Sequence, residues 1–160
     1  MEYPAYTKVP SRTYNGNKII SEFSSEIKNN VDDKTVNSFG EEWKKFSSFD
    51  EEEIQRIGNL YFDIIPPGIY SSGTSVLDVG CGTGRWTKYL VKRVGIVDAV
   101  DPSQAIFAAD EFLKDCSNVR LTKATSEALP FADNTYDMVM SIGVLHHIPD
   151  TQKAMMDCVS

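Results

Sequence analysis

The sequence predicts an α/β fold, in which helices cover both faces of a parallel sheet. From residue 74 onward, short apolar runs alternate with segments of helical periodicity, which is the pattern of such a sheet. A glycine-rich turn follows the first apolar run, and helices are expected over about 84–93 and 103–115. The expected strands are residues 74–79, 96–101, 119–123 and 136–142. Together these elements predict a Rossmann-like sheet.

The chain divides into three expected parts. Residues 1–18 contain prolines and a glycine among polar residues and are expected to be an irregular lead-in. Residues 19–68 predict an N-terminal helical cap, and residues 69–160 form the predicted sheet domain. Four aromatic side chains of the cap either pack in its core, which their periodicity favours, or close over a ligand as a lid: Phe39, Trp43, Phe46 and Phe49.

Composition excludes several classes of protein. The 160 residues are 41% hydrophobic and 24% charged, which is typical of a folded domain. The net charge of −7 offers no positive surface for a phosphate backbone, so nucleic acid is not an expected partner. No apolar run approaches the roughly 20 residues that cross a bilayer, and no secretory signal is evident, so a cytoplasmic location is expected. The widely spaced Cys81, Cys116 and Cys158 indicate neither a zinc site nor a disulfide framework.

Residues 76–84, Val-Leu-Asp-Val-Gly-Cys-Gly-Thr-Gly, carry an apolar strand directly into a turn with three glycines. Glycine removes side chains where a ligand approaches the backbone, and the helix that follows turns its free N–H groups toward the same crevice. A nucleotide-type ligand is therefore expected. In a dinucleotide fingerprint the third small residue would fall on Arg85, whose long charged side chain disfavours that spacing.

The spacing of Asp78 and the three glycines resembles the first motif of the class I S-adenosylmethionine-dependent methyltransferases. Three later stretches follow in the order found in small-molecule members of that family: Leu-Pro-Phe at 129–131, Tyr-Asp at 136–137 and Leu-His-His at 145–147. The resemblance covers residues 76–150. It implies S-adenosylmethionine as the cofactor, a small-molecule methyl acceptor and no metal ion.

The resemblance also implies roles for particular residues. Asp78 would reach the ammonium group of the cofactor, directly or through water, and Asp101 would accept both ribose hydroxyls, although it also suits a cap of the next helix. The family usually has Asp where Thr125 stands, so the adenine contact falls to Thr125, Ser126 or a backbone carbonyl, or is absent. The remaining implied cofactor contacts are Gly80, Cys81, Gly82, Gly84, Pro102 and Ser141, with Ile106 near the adenine.

His146 and His147 are the two histidines of the chain and follow the fourth strand. An imidazole with a pKa near neutrality can remove a proton from an acceptor hydroxyl or amine. His146 is the better candidate for this general base. The alternative is that one of the two histidines caps the turn between the strand and the next helix.

The expected function is methyl transfer to a small molecule. Two alternatives remain: an NAD-dependent oxidoreductase, and a non-catalytic subunit of the same fold that binds a partner chain. A full domain of the family continues beyond a fourth strand, so the resemblance implies a C-terminally incomplete domain. Its fourth strand would then present an open edge, available for self-association or for a partner chain.

Overall fold

The computed structural model describes residues 2–23 and 50–159. Its strands are β1 (Arg12–Asn15), β2 (Ile19–Glu22), β3 (Ser75–Val79), β4 (Ile96–Val100), β5 (Val119–Lys123) and β6 (Met138–Met140). Its α-helices are α1 (Glu51–Tyr61), α2 (Arg85–Leu90), α3 (Ala105–Phe112) and α4 (Thr151–Val159). Short 3₁₀ helices cover Pro67–Ile69, Ser126–Ala128 and Leu145–His147.

The six strands form one sheet in the order β1-β2-β5-β4-β3-β6. β1 pairs antiparallel with β2, and every other neighbouring pair is parallel. The predicted α/β class is confirmed. Because the parallel strands share one direction, the residues that follow β3, β4, β5 and β6 gather at the same edge of the sheet, where ligands of open α/β sheets bind.

Alternation along the strands gives each face of the sheet its own core. Helices α1, α2 and α3 cover one face, where Val76, Val97 and Leu121 are fully buried. The opposite face holds a cluster around Leu77, Val79 and Val100. There the loop after β5, the helix α4 and N-terminal residues supply the packing partners, which include Tyr6, Leu129, Phe131 and Cys158.

The N-terminal expectations were partly wrong. The predicted lead-in contains β1, and the predicted helical cap begins with β2, so residues 12–22 form a hairpin that extends the sheet beside β5. The carboxylate of Asp110 fixes the hairpin turn, since it accepts hydrogen bonds from the N–H groups of Asn17 at 2.8 Å and Lys18 at 2.6 Å. The cap aromatics at positions 39, 43, 46 and 49 lie outside the described residues.

The predicted strand and helix positions hold, but several elements are shorter than expected. The strand predicted over 136–142 is only β6, at one edge of the sheet, because it pairs with residues 76–78 of β3 alone. The α-helix expected over 84–93 spans Arg85–Leu90, and the side-chain amide of Asn118 donates to the carbonyls of Val91 and Val94 just beyond its end. No helix within the described part of the chain has the length and apolar character that a membrane crossing requires.

Candidate cofactor site

The three glycines of the turn after β3 all have positive φ, at +79° for Gly80, +55° for Gly82 and +86° for Gly84. Two of them are also packed tightly. A Cβ on Gly80 would lie 2.5 Å from a methyl of Val144, and one on Gly84 would lie 2.7 Å from Leu113 Cδ1. A Cβ on Gly82 would meet nothing within 4 Å. Side chains therefore pack against the turn at Gly80 and Gly84, whereas the backbone at Gly82 is open to a ligand.

The expected contact from Cys81 is not supported, because its side chain points into the protein. The residue is 9% exposed and packs in the core cluster that includes Ala99 and Leu121. Its N–H donates to Val100 O at 3.0 Å, and its carbonyl accepts from the N–H of Gly84 at 2.9 Å. Burial raises the pKa of the thiol well above its ordinary value, which removes Cys81 from nucleophilic chemistry as well.

Asp78 lies on the sheet face that α2 covers. Its side chain is almost fully buried, and Oδ2 accepts a 2.6 Å hydrogen bond from the hydroxyl of Thr87 on that helix. Burial raises the pKa of the carboxyl to about 7; the Thr87 bond lowers it, and the charge of nearby Asp101 raises it further. The site thus contains a carboxyl that gains or loses its proton near neutral pH.

Asp101 follows β4, and its side chain lies next to the glycine turn. Its Oδ2 accepts a hydrogen bond from Gly82 N–H at 2.9 Å, and its Oδ1 accepts from the N–H and hydroxyl of Ser103 at 2.8 and 2.6 Å. A carboxylate has roughly four lone-pair sites, of which Oδ1 uses two and Oδ2 uses one, so Oδ2 retains capacity for one ligand hydroxyl rather than the two that were expected. The carboxylate is therefore fixed next to the bare backbone at Gly82.

The two residues expected near an adenine ring differ from each other in burial. Pro102 is half-buried beside Asp101, but Ile106 is completely buried in the core with Ile20 and Leu113. Ile106 therefore has no surface left for a ligand contact, and this expectation was wrong. The first turn of α3 faces the sheet at that position, which directs the side chain inward.

Thr125 and Ser126 lie near the start of the loop 124–131, which follows β5. This strand lies beside β4, and Asp101 N–H donates to Thr122 O at 3.1 Å, so the loop starts beside the backbone of Asp101. The hydroxyl oxygen of Thr125 is buried and has no hydrogen-bond partner in the described part of the chain. A buried hydroxyl without a partner costs free energy unless a ligand or water satisfies it.

Ser141 and His146 lie after β6, beside the glycine turn. The Ser141 hydroxyl donates to Val79 O at 2.8 Å, which ties the ends of β6 and β3 together. His146 is exposed in the 3₁₀ helix Leu145–His147, and its ring centroid lies 3.8 Å from that of His147. Since Val144 packs against Gly80, this segment forms one wall of the crevice. No side-chain cap hydrogen bond is made at the start of that 3₁₀ helix.

Two residues at the site were missed from sequence. Thr87 and Ser103 hold the carboxylates of Asp78 and Asp101, respectively. Ser103 had a local signal, because a Ser two positions after an Asp commonly closes an Asx turn. Thr87 had none, since its contact with Asp78 depends on how α2 packs on the sheet.

The carboxyl ends of β3, β4, β5 and β6 thus bring together a bare backbone, two fixed carboxyl groups and a buried hydroxyl without a partner. These groups fit an adenosine-bearing ligand with a cationic end, because Oδ2 of Asp101 can accept from a ribose hydroxyl and an ionised Asp78 can attract an ammonium group.

Comparison with known proteins agrees with this geometry. The family model described as "Methyltransferase domain" matches residues 76–160. Demethylmenaquinone methyltransferase from Staphylococcus aureus is 37% identical over 89 residues, which amount to 53% of this chain and 37% of the relative. The chain therefore spans little more than a third of that relative's length.

Solved structures give the same fold. The YcgJ protein from Bacillus subtilis matches with a TM-score of 0.58 and 27% identity, over 64% of this chain and 44% of that protein. A Methanococcus maripaludis protein assigned to the S-adenosyl-L-methionine-dependent methyltransferases matches with a TM-score of 0.59 and 21% identity, over 84% of this chain and 61% of that one.

The chain belongs to the methyltransferase domain family, in the class I S-adenosylmethionine-dependent fold. S-adenosylmethionine is the cofactor of this class, which supersedes the NAD-dependent alternative.

Proposed function

We propose that this chain binds S-adenosylmethionine across the carboxyl ends of β3, β4 and β5 and takes part in methyl transfer to a small-molecule acceptor. The observation that carries the proposal is the Asp101 carboxylate, hydrogen-bonded to Gly82 N–H at 2.9 Å beside open space above that glycine. Oδ2 of Asp101 then accepts from a ribose hydroxyl while the backbone at Gly82 lies along the cofactor.

The other contacts follow from position. Asp78 attracts the ammonium group, Pro102 lies against the adenine, and Thr125 or Ser126 hydrogen-bonds the adenine edge. The buried Thr125 hydroxyl without a partner supports the last assignment, because the ligand would supply the missing hydrogen bond. Gly80, Gly84 and Ser141 shape the turn: a Cβ on Gly80 or Gly84 would collide with Val144 or Leu113, and the Ser141 hydroxyl donates to Val79 O.

When bound, S-adenosylmethionine supplies a methyl group on a sulfonium sulfur, open to displacement by a nucleophilic oxygen, nitrogen or carbon atom. The contribution of this chain is to hold that sulfur in line with the acceptor and to keep the acceptor deprotonated. His146 is the proposed base, because it is exposed and lies two residues beyond Val144, whose side chain is next to Gly80.

The proposed acceptor class is a neutral, quinone-like small molecule. The name of the Staphylococcus aureus relative, demethylmenaquinone methyltransferase, supports this class. Incubating the protein with isotopically labelled S-adenosylmethionine and either a reduced naphthoquinone or a neutral sugar separates the options. Label in the naphthoquinone product supports the proposal, and label in the sugar alone contradicts the acceptor class.

Calorimetric titration with S-adenosylhomocysteine tests the binding site. Asp101→Asn should weaken binding by roughly 10- to 100-fold, because it replaces a charged acceptor of a ribose hydroxyl with a neutral amide. Asp137→Asn is the matched control: Oδ2 of Asp137 also accepts from a backbone N–H and a hydroxyl, both of Ser75 at 2.8 Å, but at the amino end of the strands. Equal affinity in both variants would contradict the site.

A further inference from the structure

Residues 3–7 lie against the sheet face opposite α2, beside the loop that carries Thr125 and Ser126. We propose that this N-terminal segment is a strap in which the ring of Tyr6 positions the loop 124–131, and through it the adenosine side of the cofactor site. The inference rests on the proposed function, since it assumes that Thr125 and Ser126 face the cofactor. Tyr6 is a positioning residue, not a catalytic one.

The Tyr6 ring is packed between elements on both sides of the loop. Its centroid lies 4.7 Å from that of Phe23 and 5.7 Å from that of Phe131. Its hydroxyl hydrogen-bonds the hydroxyl of the fully buried Thr122 at 2.8 Å, just before the loop. The same ring therefore contacts the strand that precedes the loop and the residue that ends it.

A backbone bond fixes the strap to the loop directly. Thr7 N–H donates to Pro130 O at 2.9 Å. Ala124, at the start of the loop, is buried in the cluster against which Tyr6, Leu129 and Phe131 pack. Both ends of the loop thus depend on contacts that include the strap.

A buried ion pair packs against the ring of Tyr6. The Arg120 guanidinium binds the Asp98 carboxylate through two nitrogens, at 2.5 and 2.9 Å, and its carbon lies 4.2 Å from the Tyr6 ring centroid. Asp98 also accepts a 2.7 Å hydrogen bond from the hydroxyl of Tyr136, which follows the loop. Because a cation over an aromatic face is attracted to it, the fixed guanidinium fixes the ring as well.

The position of the loop matters because the loop carries the Thr125 hydroxyl. The Thr125 hydroxyl is buried without a partner in the described part of the chain, in the loop after β5, the neighbour of β4, so its direction decides whether a ligand can satisfy it. A shift of the loop would misdirect this hydroxyl while leaving Asp78, Gly82 and Asp101 in place. The strap therefore influences the adenosine side of the site and not the amino-acid side.

The test uses Tyr6→Leu, which keeps an apolar side chain but loses the ring, and Tyr6→Phe, which keeps the ring. Two ligands are titrated at a temperature where every variant is folded: S-adenosylhomocysteine, and 5′-methylthioadenosine, which has the adenosine side without the amino-acid end. Tyr6→Leu should weaken both ligands by the same factor, roughly tenfold, as expected for the loss of one or two net hydrogen bonds. Tyr6→Phe should restore most of the affinity.

Tyr14→Phe and Tyr14→Leu are the matched controls. Tyr14 is another N-terminal tyrosine with an aromatic partner, Phe107 at 5.0 Å, and its hydroxyl donates to Glu22, but it packs against the core beneath α3. Tyr14→Leu should lower the melting temperature without changing either affinity.

The possible outcomes distinguish a failure of the proposed function from a failure of the strap proposal. If the wild-type protein binds neither ligand, the proposed function fails and the strap proposal fails with it. If the wild type binds both, unchanged affinity in Tyr6→Leu overturns the strap proposal alone. A loss for S-adenosylhomocysteine but not for 5′-methylthioadenosine also overturns it, because the effect would then lie on the amino-acid side. Should Tyr6→Leu not fold, Arg120→Lys removes the guanidinium under the ring and must give the same equal loss.

Discussion

The carboxylate of Asp101 accepts a hydrogen bond from the backbone N–H of Gly82 at 2.9 Å, which joins the ends of two neighbouring strands. The bond orients an acceptor for a sugar hydroxyl toward the one glycine of the turn whose missing side chain leaves open space. Ser103 holds the other carboxylate oxygen through two further bonds. The arrangement is therefore organised before any ligand arrives, which lowers the entropic cost of binding.

Gly82→Ala should impair binding more than folding. The methyl group would meet no protein atom within 4 Å, so the cost to folding is the left-handed backbone alone, about 1–2 kcal/mol. The same methyl group would occupy the space where the cofactor approaches, and affinity for S-adenosylhomocysteine should fall at least about tenfold. Chemical denaturation and calorimetric titration of the variant measure the two effects.

Two other glycines supply the controls. Gly143→Ala has a similar φ of +75° and similar open space, so it should lose the same folding free energy as Gly82→Ala but bind more tightly than that variant. Gly80→Ala should lose more folding free energy than either, because its methyl group collides with Val144. Equal ligand affinities in Gly82→Ala and Gly143→Ala would place the ligand elsewhere.

Affinity for the cofactor should depend on pH through Asp78. Its carboxyl has a pKa of about 7 in the unliganded protein, because burial outweighs the Thr87 hydrogen bond. A cationic ligand end requires the ionised form, so affinity should fall by up to about tenfold per pH unit below that value and level off above it. Titrations with S-adenosylhomocysteine between about pH 5.5 and 8.5 test this, and proton release on binding should be seen at the acid end.

Asp78→Asn removes the titrating group and is the control for that pH profile. The variant should bind more weakly at about pH 8 and show little change with pH. A wild-type profile that is as flat as that of the variant would show that Asp78 does not meet the charged end of the cofactor.

The same carboxyl affects stability with a definite sign. Because its pKa in the folded protein is raised from 3.8 to about 7, its contribution is fully present below pH 3.8 and is lost as pH rises toward 7. Unliganded Asp78→Asn should therefore gain stability relative to wild type across this range, by on the order of 2–4 kcal/mol. Urea denaturation at about pH 4.5 and pH 8 measures the difference. A gap between the two proteins that does not change with pH contradicts the assignment.

His146→Ala tests the proposed base. If His146 removes the acceptor proton, turnover at saturating cofactor should fall by roughly 10²- to 10⁴-fold, while affinity for S-adenosylhomocysteine stays unchanged. His147→Ala is the neighbouring control and should retain turnover. Unchanged turnover in His146→Ala would remove that residue from the chemistry and leave it as part of the crevice wall.

The predictable features of this protein were those set by nearby residues. Positive φ at Gly80, Gly82 and Gly84 follows from a strand that must turn sharply into a helix, and Asp101 follows from the end of the next strand. The features that could not be predicted from the sequence depend on contacts between residues that are distant in the chain. The hairpin of residues 12–22 exists because β2 pairs with β5, about 100 positions away.

Side-chain direction was the other source of error. Cys81 and Ile106 stand close in sequence to Gly82 and Asp101, yet both face the core, because helices α2 and α3 cover that face of the sheet. Conversely, Tyr6 lies in a segment expected to be irregular but packs against the loop that carries Thr125. The directions of these side chains cannot be derived from their spacing in the sequence before the packing of helices on the sheet is known.

Calorimetric titration of the wild-type protein with S-adenosylmethionine and S-adenosylhomocysteine, at about pH 8 where Asp78 is ionised, tests the central claim most directly. The geometry predicts one site that takes both ligands, with affinity reduced in Asp101→Asn and retained in Asp137→Asn. A folded sample that binds neither ligand would contradict the assignment of the cofactor site.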